Sequence, residues 1–258
     1  VIDMPTRFVD FMRVLVPMAG DDTTPEGEQV NIYGNHVGSW NFAATAYLNR
    51  WKVKIYYEHY FDDHSQMFFQ YGRWKDGHIG LEITFPKNRF IDTFVYEGLG
   101  TKDQTGPMLY DSFWGEFEEQ ISAKDNYYNH YLYQGWQHWG MGIGNPLLPG
   151  PIYNKNGQIT FISNRVLAHH IGFCGSPCQS LSYRMLLSYS RHWGTYDNPL
   201  NEIKKQFNSL FEVTYAPQQL KGWSFTVSGA MDRGNILGNN YGGMLVIRKQ
   251  GIIKSGNK

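Results

Sequence analysis

The chain has 258 residues, of which 23 are basic and 23 acidic, so its formal net charge is zero. This balance excludes the strongly basic surface of most nucleic-acid-binding domains, and we expect no nucleic acid among its partners. No apolar run reaches the roughly 18 residues of a transmembrane helix. The length is sufficient for a sizeable core, and we treat residues 1–258 as one domain.

Aromatic residues and glycine are both abundant in this chain. Phe, Trp and Tyr make up 16% of the residues and Gly occupies 28 positions, whereas charged residues reach only 18%. An average soluble domain has roughly 25% charged residues. The composition favours an all-β protein, and in particular an outer-membrane β-barrel with belts of aromatic side chains.

The N-terminal fifth predicts an irregular start followed by a hairpin. Residues 6–16 have mixed helical spacing, which fits either a short helix or an entry strand, and the polar run 20–29 predicts a loop. Apolar and polar side chains then alternate over residues 36–49 and again over 51–58. Two runs of period two joined by a turn predict a long β-hairpin.

The following part mixes strands with insertions. Residues 61–75 break the alternation and predict an irregular or helical insertion rich in aromatic side chains. Alternation returns over 79–85, and a further strand is predicted at 90–97. Residues 98–124 predict a long, partly acidic loop.

The stretch 125–151 holds six Tyr and Trp and two His, followed by glycines at 140, 142 and 144. Its apolar residues follow neither the helical nor the strand period, so we predict an irregular loop. Aromatic faces with hydrogen-bonding tips suit contact with a sugar, but they equally suit packing inside the protein. The candidate glycan-binding residues are Trp136, His138 and Trp139, and after them Tyr127, Tyr128, Asn129 and His130.

The C-terminal third has the clearest strand pattern. The predicted strands are 158–162, 164–172, 180–193, 207–215, 223–231 and 241–248. In 180–193 an apolar face lies opposite a Ser, Arg and His face over more than ten residues. That length is typical of a strand with lipid on one side and a polar lumen on the other, and the chain offers roughly eight to ten strands.

The two cysteines, Cys174 and Cys178, allow three interpretations. They are either free thiols in a turn, a local disulfide, or part of a zinc site with His169 and His170. Adjacent His residues on a strand point to opposite faces, so the zinc site is the weakest of the three. We predict no metal and no cofactor.

Seven segments together carry a resemblance to a known family. They are residues 27–42, 56–68, 100–107, 125–148, 164–172, 188–196 and 238–251. In this order they resemble the Wzi capsule-assembly family of Gram-negative outer-membrane proteins. The resemblance implies an antiparallel transmembrane β-barrel of the outer-membrane type with about eighteen strands, long aromatic-rich loops and short helical insertions.

The resemblance also implies a function and partners. It implies a non-enzymatic, lectin-like protein that attaches capsular or exopolysaccharide at the cell surface. The partners would be the polysaccharide, outer-membrane lipid and the capsule export machinery, and the location the outer membrane of a Gram-negative bacterium. Family members are longer, so the chain corresponds to the C-terminal portion of such a barrel.

Two other functions remain open from the residues alone. An outer-membrane channel for small solutes would line its lumen with polar strand faces, including Lys52, Lys54, Glu58, Arg184 and Arg191. A secreted β-sandwich enzyme acting on polysaccharide would need two carboxylates, for which Glu58 and Asp103 are candidates. The sequence holds no nucleophile-elbow motif, and we therefore predict that the protein is not an enzyme.

Overall fold

The computed structural model describes residues 5–251 apart from 31, 63, 68–75, 89, 111–114, 120, 122 and 134. The described residues are mostly antiparallel β-structure with a few short helices. The helices are α1 (Phe8–Leu15), α2 (Glu26–Val30) and α3 (His64–Met67), with a 3₁₀ turn at Pro151–Tyr153. None of these described helices is long and apolar enough to span a membrane.

Nine long strands form one sheet. They are β1 (Gly38–Leu48), β2 (Trp51–Phe61), β3 (Gly77–Thr84), β4 (Thr93–Gly100), β7 (Val166–Cys178), β8 (Leu181–Gly194), β9 (Pro199–Tyr215), β10 (Trp223–Gly234) and β11 (Asn240–Lys249). Two further strands, β5 (Gln137–His138) and β6 (Met141–Gly142), form a small separate hairpin.

Each long strand pairs antiparallel with the long strand before it and the long strand after it in the sequence, so the sheet is a meander. The one large excursion is between β4 and β7, which pair across the 65 residues 101–165. In the described part of the chain β1 and β11 are the two edges and do not pair with one another. The prediction of an all-β antiparallel fold with eight to ten strands is confirmed.

The register divides the side chains of the sheet into two faces, because residues paired across an antiparallel ladder point to the same side. The first, which we call the apolar face, includes Phe42, Ile55, Ile79, Tyr96, Ile171, Leu187, Phe211, Val227 and Leu245. The second, the polar face, includes Ser39, Glu58, His78, Glu97, His170, Ser188, Asn208 and Asp232.

The apolar face is the exposed one. Phe42 is 56% exposed, Val227 60% and Leu245 63%, although they stand on three different strands. In an ordinary one-sheet domain the apolar side would be packed on the core and the polar side wetted. Here the arrangement is reversed, and the continuous apolar surface far exceeds the scattered apolar residues usual on a protein surface.

The core lies on the polar side of the sheet. Long segments (5–37, 62–76 and 101–165) emerge at one end of the strands, whereas the other end has shorter turns. We call residues 101–165 the inner segment. Its residues Tyr128, Leu148 and Phe161 form the main hydrophobic cluster with Leu99 and Ala168, two residues of the polar face. The inner segment therefore covers the polar face near the end of the long segments.

Several predicted boundaries differ from the structure. The last part of the segment 20–29, predicted to be a loop, belongs to α2. For residues 6–16, of the two predicted alternatives the structure has the short helix, α1. Residues 158–162 are not a strand, because the backbone of Phe161 is hydrogen-bonded on both sides by the Asn129 side chain. The strand predicted at 207–215 begins eight residues earlier, at Pro199.

The cysteines lie in a strand and not in a turn. Strand β7 extends to Cys178, and both thiols are free. The ladder is irregular between Gly175 and Cys178, and the two thiols do not form a disulfide. Of the three interpretations, the structure has the free thiols, but in a strand and not in a turn.

Arg191 is on the opposite side from the one expected of a channel-lining residue. Its register partner is Leu167, which belongs to the apolar face, and its guanidinium carbon lies 5.4 Å from the ring centre of Trp193. Lys52, Lys54, Glu58 and Arg184 do belong to the polar face. The local pattern around Arg191 is irregular because the ladder slips between His192 and Gly194.

Candidate functional site

A cavity of about 620 Å³ lies between the polar face and the inner segment. One wall is made by strands β1–β4, β7 and β8, and the other by residues 127–148 of the inner segment. The described lining residues are Val37, Gly38, Ser39, Glu58, Tyr60, His78, Glu97, Leu99, Thr101, Tyr127, Tyr128, Trp136, Gly144, Asn145, Pro146, Leu147, Leu148, Ala168, His170 and Ser188.

The strand wall is built around two carboxylates with an imidazole between them. Glu58 and His78 are direct register partners on β2 and β3, and Oε2 of Glu58 lies 3.9 Å from Nδ1 of His78. The other ring nitrogen, Nε2, lies 3.5 Å from Oε1 of Glu97. Ser39 donates a hydrogen bond of 2.8 Å to Glu58, and Tyr60 donates a longer one of 3.4 Å.

Gly80 allows one further contact to this wall. The Tyr56 hydroxyl donates to the Glu97 carboxylate by crossing over Gly80, which lies between the two in the ladder. A Cβ at Gly80 would come within 2.0 Å of the Tyr56 ring, so any larger residue there would displace the tyrosine. Further along the same row, Nδ1 of His170 lies 2.7 Å from the Ser188 hydroxyl.

The opposite wall presents a pair of stacked aromatic rings. Tyr128 and Trp136 lie 5.1 Å apart between ring centres with an angle of 13° between their planes. Phe161 supports Tyr128 edge-on at 5.1 Å, and the Tyr128 hydroxyl accepts a hydrogen bond of 2.9 Å from the Asn145 amide. Tyr128 and Trp136 both have positive φ angles, a conformation that costs energy in residues other than glycine. The inner segment is thus held in a strained conformation that brings the two rings together.

Behind this wall the inner segment is anchored by buried polar groups. Tyr127 is 2% exposed, and its hydroxyl donates to Gln66 at 2.7 Å and to Asp76 at 3.3 Å. The Asp76 carboxylate also accepts from the backbone amides of Asp103, at 2.9 Å, and Gln104, at 2.5 Å. Burial raises the pKa of Asp76 to about 6, although the two amide donors oppose the shift.

Of the seven residues predicted to bind glycan, three line the cavity: Tyr127, Tyr128 and Trp136. Tyr127 contributes from a buried position, whereas Tyr128 and Trp136 form the aromatic pair. The structure therefore places a part of the predicted aromatic site beside the polar side chains of the strands.

Two of the seven, His138 and Trp139, lie at the tip of the β5–β6 hairpin. Trp139 is 84% exposed and His138 touches it edge-on, with ring centres 6.1 Å apart. Trp139 and Gly140 form the two-residue turn of the hairpin, and both have positive φ angles. This is the backbone of a type I′ turn, in which Asn-Gly is the favoured sequence and Trp is uncommon.

The remaining two, Asn129 and His130, contact the protein itself. The Asn129 side chain makes two hydrogen bonds of 2.8 Å to the backbone of Phe161. The His130 ring lies 3.3 Å from the buried Glu28 carboxylate and packs against the rings of Tyr131 and Tyr133. Asn129 thus holds two parts of the inner segment together, and His130 joins the inner segment to the N-terminal segment 5–37.

Much of the strand wall was not among the candidate residues of the sequence. Ser39, His78, Glu97 and Ser188 belong to it, and the alternation had placed several of them on a polar face. His170 had been considered only as a zinc ligand. Only the register brings them together. Glu58 had been paired with Asp103 as two candidate acids, but the carboxylate that shares an imidazole with Glu58 is Glu97.

The metal interpretation has no support in the geometry. Among the described residues no group of three or more His, Cys, Asp and Glu side chains is arranged to hold a metal ion. His169 and His170 point to opposite faces as predicted, because Nδ1 of His169 lies 2.8 Å from the Tyr96 hydroxyl on the apolar face.

Comparison of the chain with protein-family models, with curated proteins and with solved structures gives no match. The chemistry of the cavity itself therefore indicates its function. It combines aromatic faces on one side with hydrogen-bonding groups on the other, inside a volume typical of small-ligand sites.

Proposed function

We propose that this protein is a non-enzymatic, lectin-like outer-membrane protein that attaches capsular or exopolysaccharide at the cell surface. The observation that carries the proposal is the cavity with two unlike walls. The Tyr128–Trp136 pair offers flat faces for the C–H groups of a sugar ring. Glu58, Glu97 and Ser39 offer hydrogen-bonding groups for its hydroxyls.

The setting that we propose is an outer-membrane β-barrel of the Wzi capsule-assembly family. In this proposal the nine-stranded sheet is part of a closed barrel of about eighteen strands, with the apolar face against outer-membrane lipid. Three features support it: the exposed apolar face, the shorter turns at one end, and the inner segment on the polar side. The capsule export machinery would be the partner that delivers the polysaccharide.

The hydrogen bonding of the two glutamates favours binding over catalysis. Glu58 already accepts from Ser39, Glu97 already accepts from Tyr56, and both carboxylates flank His78. A glycoside hydrolase needs one carboxyl group that delivers a proton and another that activates water or attacks the sugar. Carboxylates engaged in this way are better suited to hold hydroxyl groups of a bound sugar.

The proposal is tested by replacing the cavity tryptophan. We expect Trp136→Ala to weaken polysaccharide retention by roughly tenfold, because it removes an aromatic face and unstacks Tyr128. The measurement is retention of labelled capsular polysaccharide by cells that produce the variant, together with the amount of folded protein in the outer membrane.

Trp139→Ala is the matched control, since Trp139 is a tryptophan of the same segment at the exposed hairpin tip. We expect Trp139→Ala to reduce polysaccharide retention less than Trp136→Ala does, because Trp139 lies outside the cavity. Normal retention by Trp136→Ala at normal protein levels would leave the aromatic pair with a structural role only and would contradict the proposed site.

A further inference from the structure

We infer that the cavity selects saccharide units without negative charge, preferring an amino sugar to a neutral sugar and rejecting uronic acids. This inference rests on the proposed function, because it names the class of sugar that the same cavity would hold. It is carried by the Glu58–His78–Glu97 cluster and by the positions of the basic side chains on the polar face.

The described lining of the cavity contains two carboxylates and neither Lys nor Arg. Glu58 and Glu97 are 31% and 29% exposed, so water screens them only in part. Two imidazoles could compensate, His78 between the carboxylates and His170 beside Glu97 in the ladder, but an imidazole is charged only when protonated. A sugar in this cavity therefore meets a negative wall.

Three basic residues of the polar face are engaged elsewhere, and two more on that face, Lys204 and Arg248, do not line the cavity. Lys52 pairs with Glu82 at 3.6 Å, and Arg184 pairs with Glu212 at 3.4 Å. The Lys54 ammonium lies 5.2 Å from the ring centre of Tyr56. Lys52, Lys54 and Arg184 lie toward the end of the strands with the shorter turns, whereas the cavity lies toward the other end.

Hydrogen-bond chemistry points in the same direction. An ionised carboxylate only accepts hydrogen bonds, so it fits the O–H groups of a neutral sugar or the ammonium group of an amino sugar. A uronate brings a second acceptor with a like charge, which is unfavourable. The opposite wall adds to this preference, since aromatic faces attract cations and C–H groups rather than anions.

The test measures the binding of three oligosaccharides of equal length to the full chain, in detergent at neutral pH. Binding is detected by the change in tryptophan fluorescence. The probes are an oligomer of glucosamine, a neutral oligomer of glucose and an oligomer of galacturonate. We expect the galacturonate to bind at least roughly tenfold more weakly than the neutral oligomer, and the glucosamine oligomer to bind most tightly. Salt should reduce both differences.

Glu97→Gln separates charge from shape, because the amide keeps an oxygen for the Tyr56 hydroxyl. We expect it to strengthen galacturonate binding and to weaken glucosamine binding by several-fold, with a smaller loss for glucose, because an amide oxygen still accepts from a hydroxyl but less strongly than a carboxylate. Glu82→Gln is the control: it removes the same charge from the same face at a position outside the cavity wall. It should leave all three affinities unchanged.

Two results would overturn the inference in distinguishable ways. Galacturonate binding as tightly as glucose, with no response to Glu97→Gln, would show that the cavity binds sugars without this charge selection. Binding of none of the three probes would contradict the proposed function itself, and the selection would fall with it.

Discussion

A single buried carboxyl group connects three parts of the molecule that are distant in sequence. Asp76 immediately precedes β3, is 1% exposed, and accepts hydrogen bonds from two backbone amides of the inner segment and from Tyr127. The positive φ angles at Gln104 and Thr105 show that the chain bends sharply to reach it. This residue holds the start of the inner segment against the end of the sheet.

The same group makes stability depend on pH. Its pKa of about 6 in the folded protein lies above the ordinary value of 3.8, so the folded state binds the proton more tightly. The contribution of protonated Asp76 is therefore complete below pH 4 and is lost as the pH rises through 6, and it amounts to about 3 kcal/mol. We expect this contribution to lower the denaturant midpoint of the wild type in detergent as the pH is raised from about 4 to about 6.

Asp76→Asn is the variant that isolates this effect, since the amide has no proton to lose over this range. We expect the wild type to lose unfolding free energy relative to the variant, by about 3 kcal/mol, as the pH is raised from about 4 to about 6. Parallel pH profiles for the two proteins would mean that Asp76 does not titrate there.

At the scale of the strands, a charged substitution is expected to have different effects on the two faces of the same strand. In β10, Val227 lies on the exposed apolar face, while Ala230 lies on the polar face three residues away. If the apolar face contacts lipid, a charge there must leave water for hydrocarbon, whereas a charge on the polar face need not.

We expect Val227→Arg to lower the free energy of unfolding in phospholipid vesicles by about 2–4 kcal/mol, and so to destabilise the protein, if the site is near the bilayer centre. Ala230→Arg on the same strand should cost much less, because its side chain is directed to the polar side. Urea titrations of both variants in vesicles give the comparison. Equal costs would mean that the apolar face is not directed toward lipid.

At the scale of the whole molecule, the nine strands form a sheet whose apolar side is outermost and whose core lies on its polar side. Backbone groups at the edge strands β1 and β11 need partners if those strands lie in hydrocarbon. The proposed barrel satisfies them by closure.

Closure has a direct test on a gel. We expect the protein extracted from outer membranes to migrate faster unheated than boiled, because a closed barrel resists unfolding by detergent at room temperature. An unchanged mobility, with release into buffer without detergent, would contradict the membrane proposal. A folded protein that conducts ions freely in a planar bilayer would instead favour the channel.

The sequence by itself determined the class of fold and the faces of most strands. Alternation is a local property of the backbone, so β8 was predicted at 180–193 and found at Leu181–Gly194. Prediction failed where a distant group decides the local structure, as at 158–162, where Asn129 occupies the backbone positions that a neighbouring strand would need.

The candidate site depended on tertiary structure to a greater extent. The sequence identified the aromatic stretch that holds Tyr128 and Trp136, because its composition is unusual, but not which of its side chains would be internal. The pairing of Glu58 with His78 and the position of Glu97 follow from the register of three strands. Register is set by contacts over the whole sheet and by long loop closures, and a shift of one residue would have moved every one of these side chains to the other face.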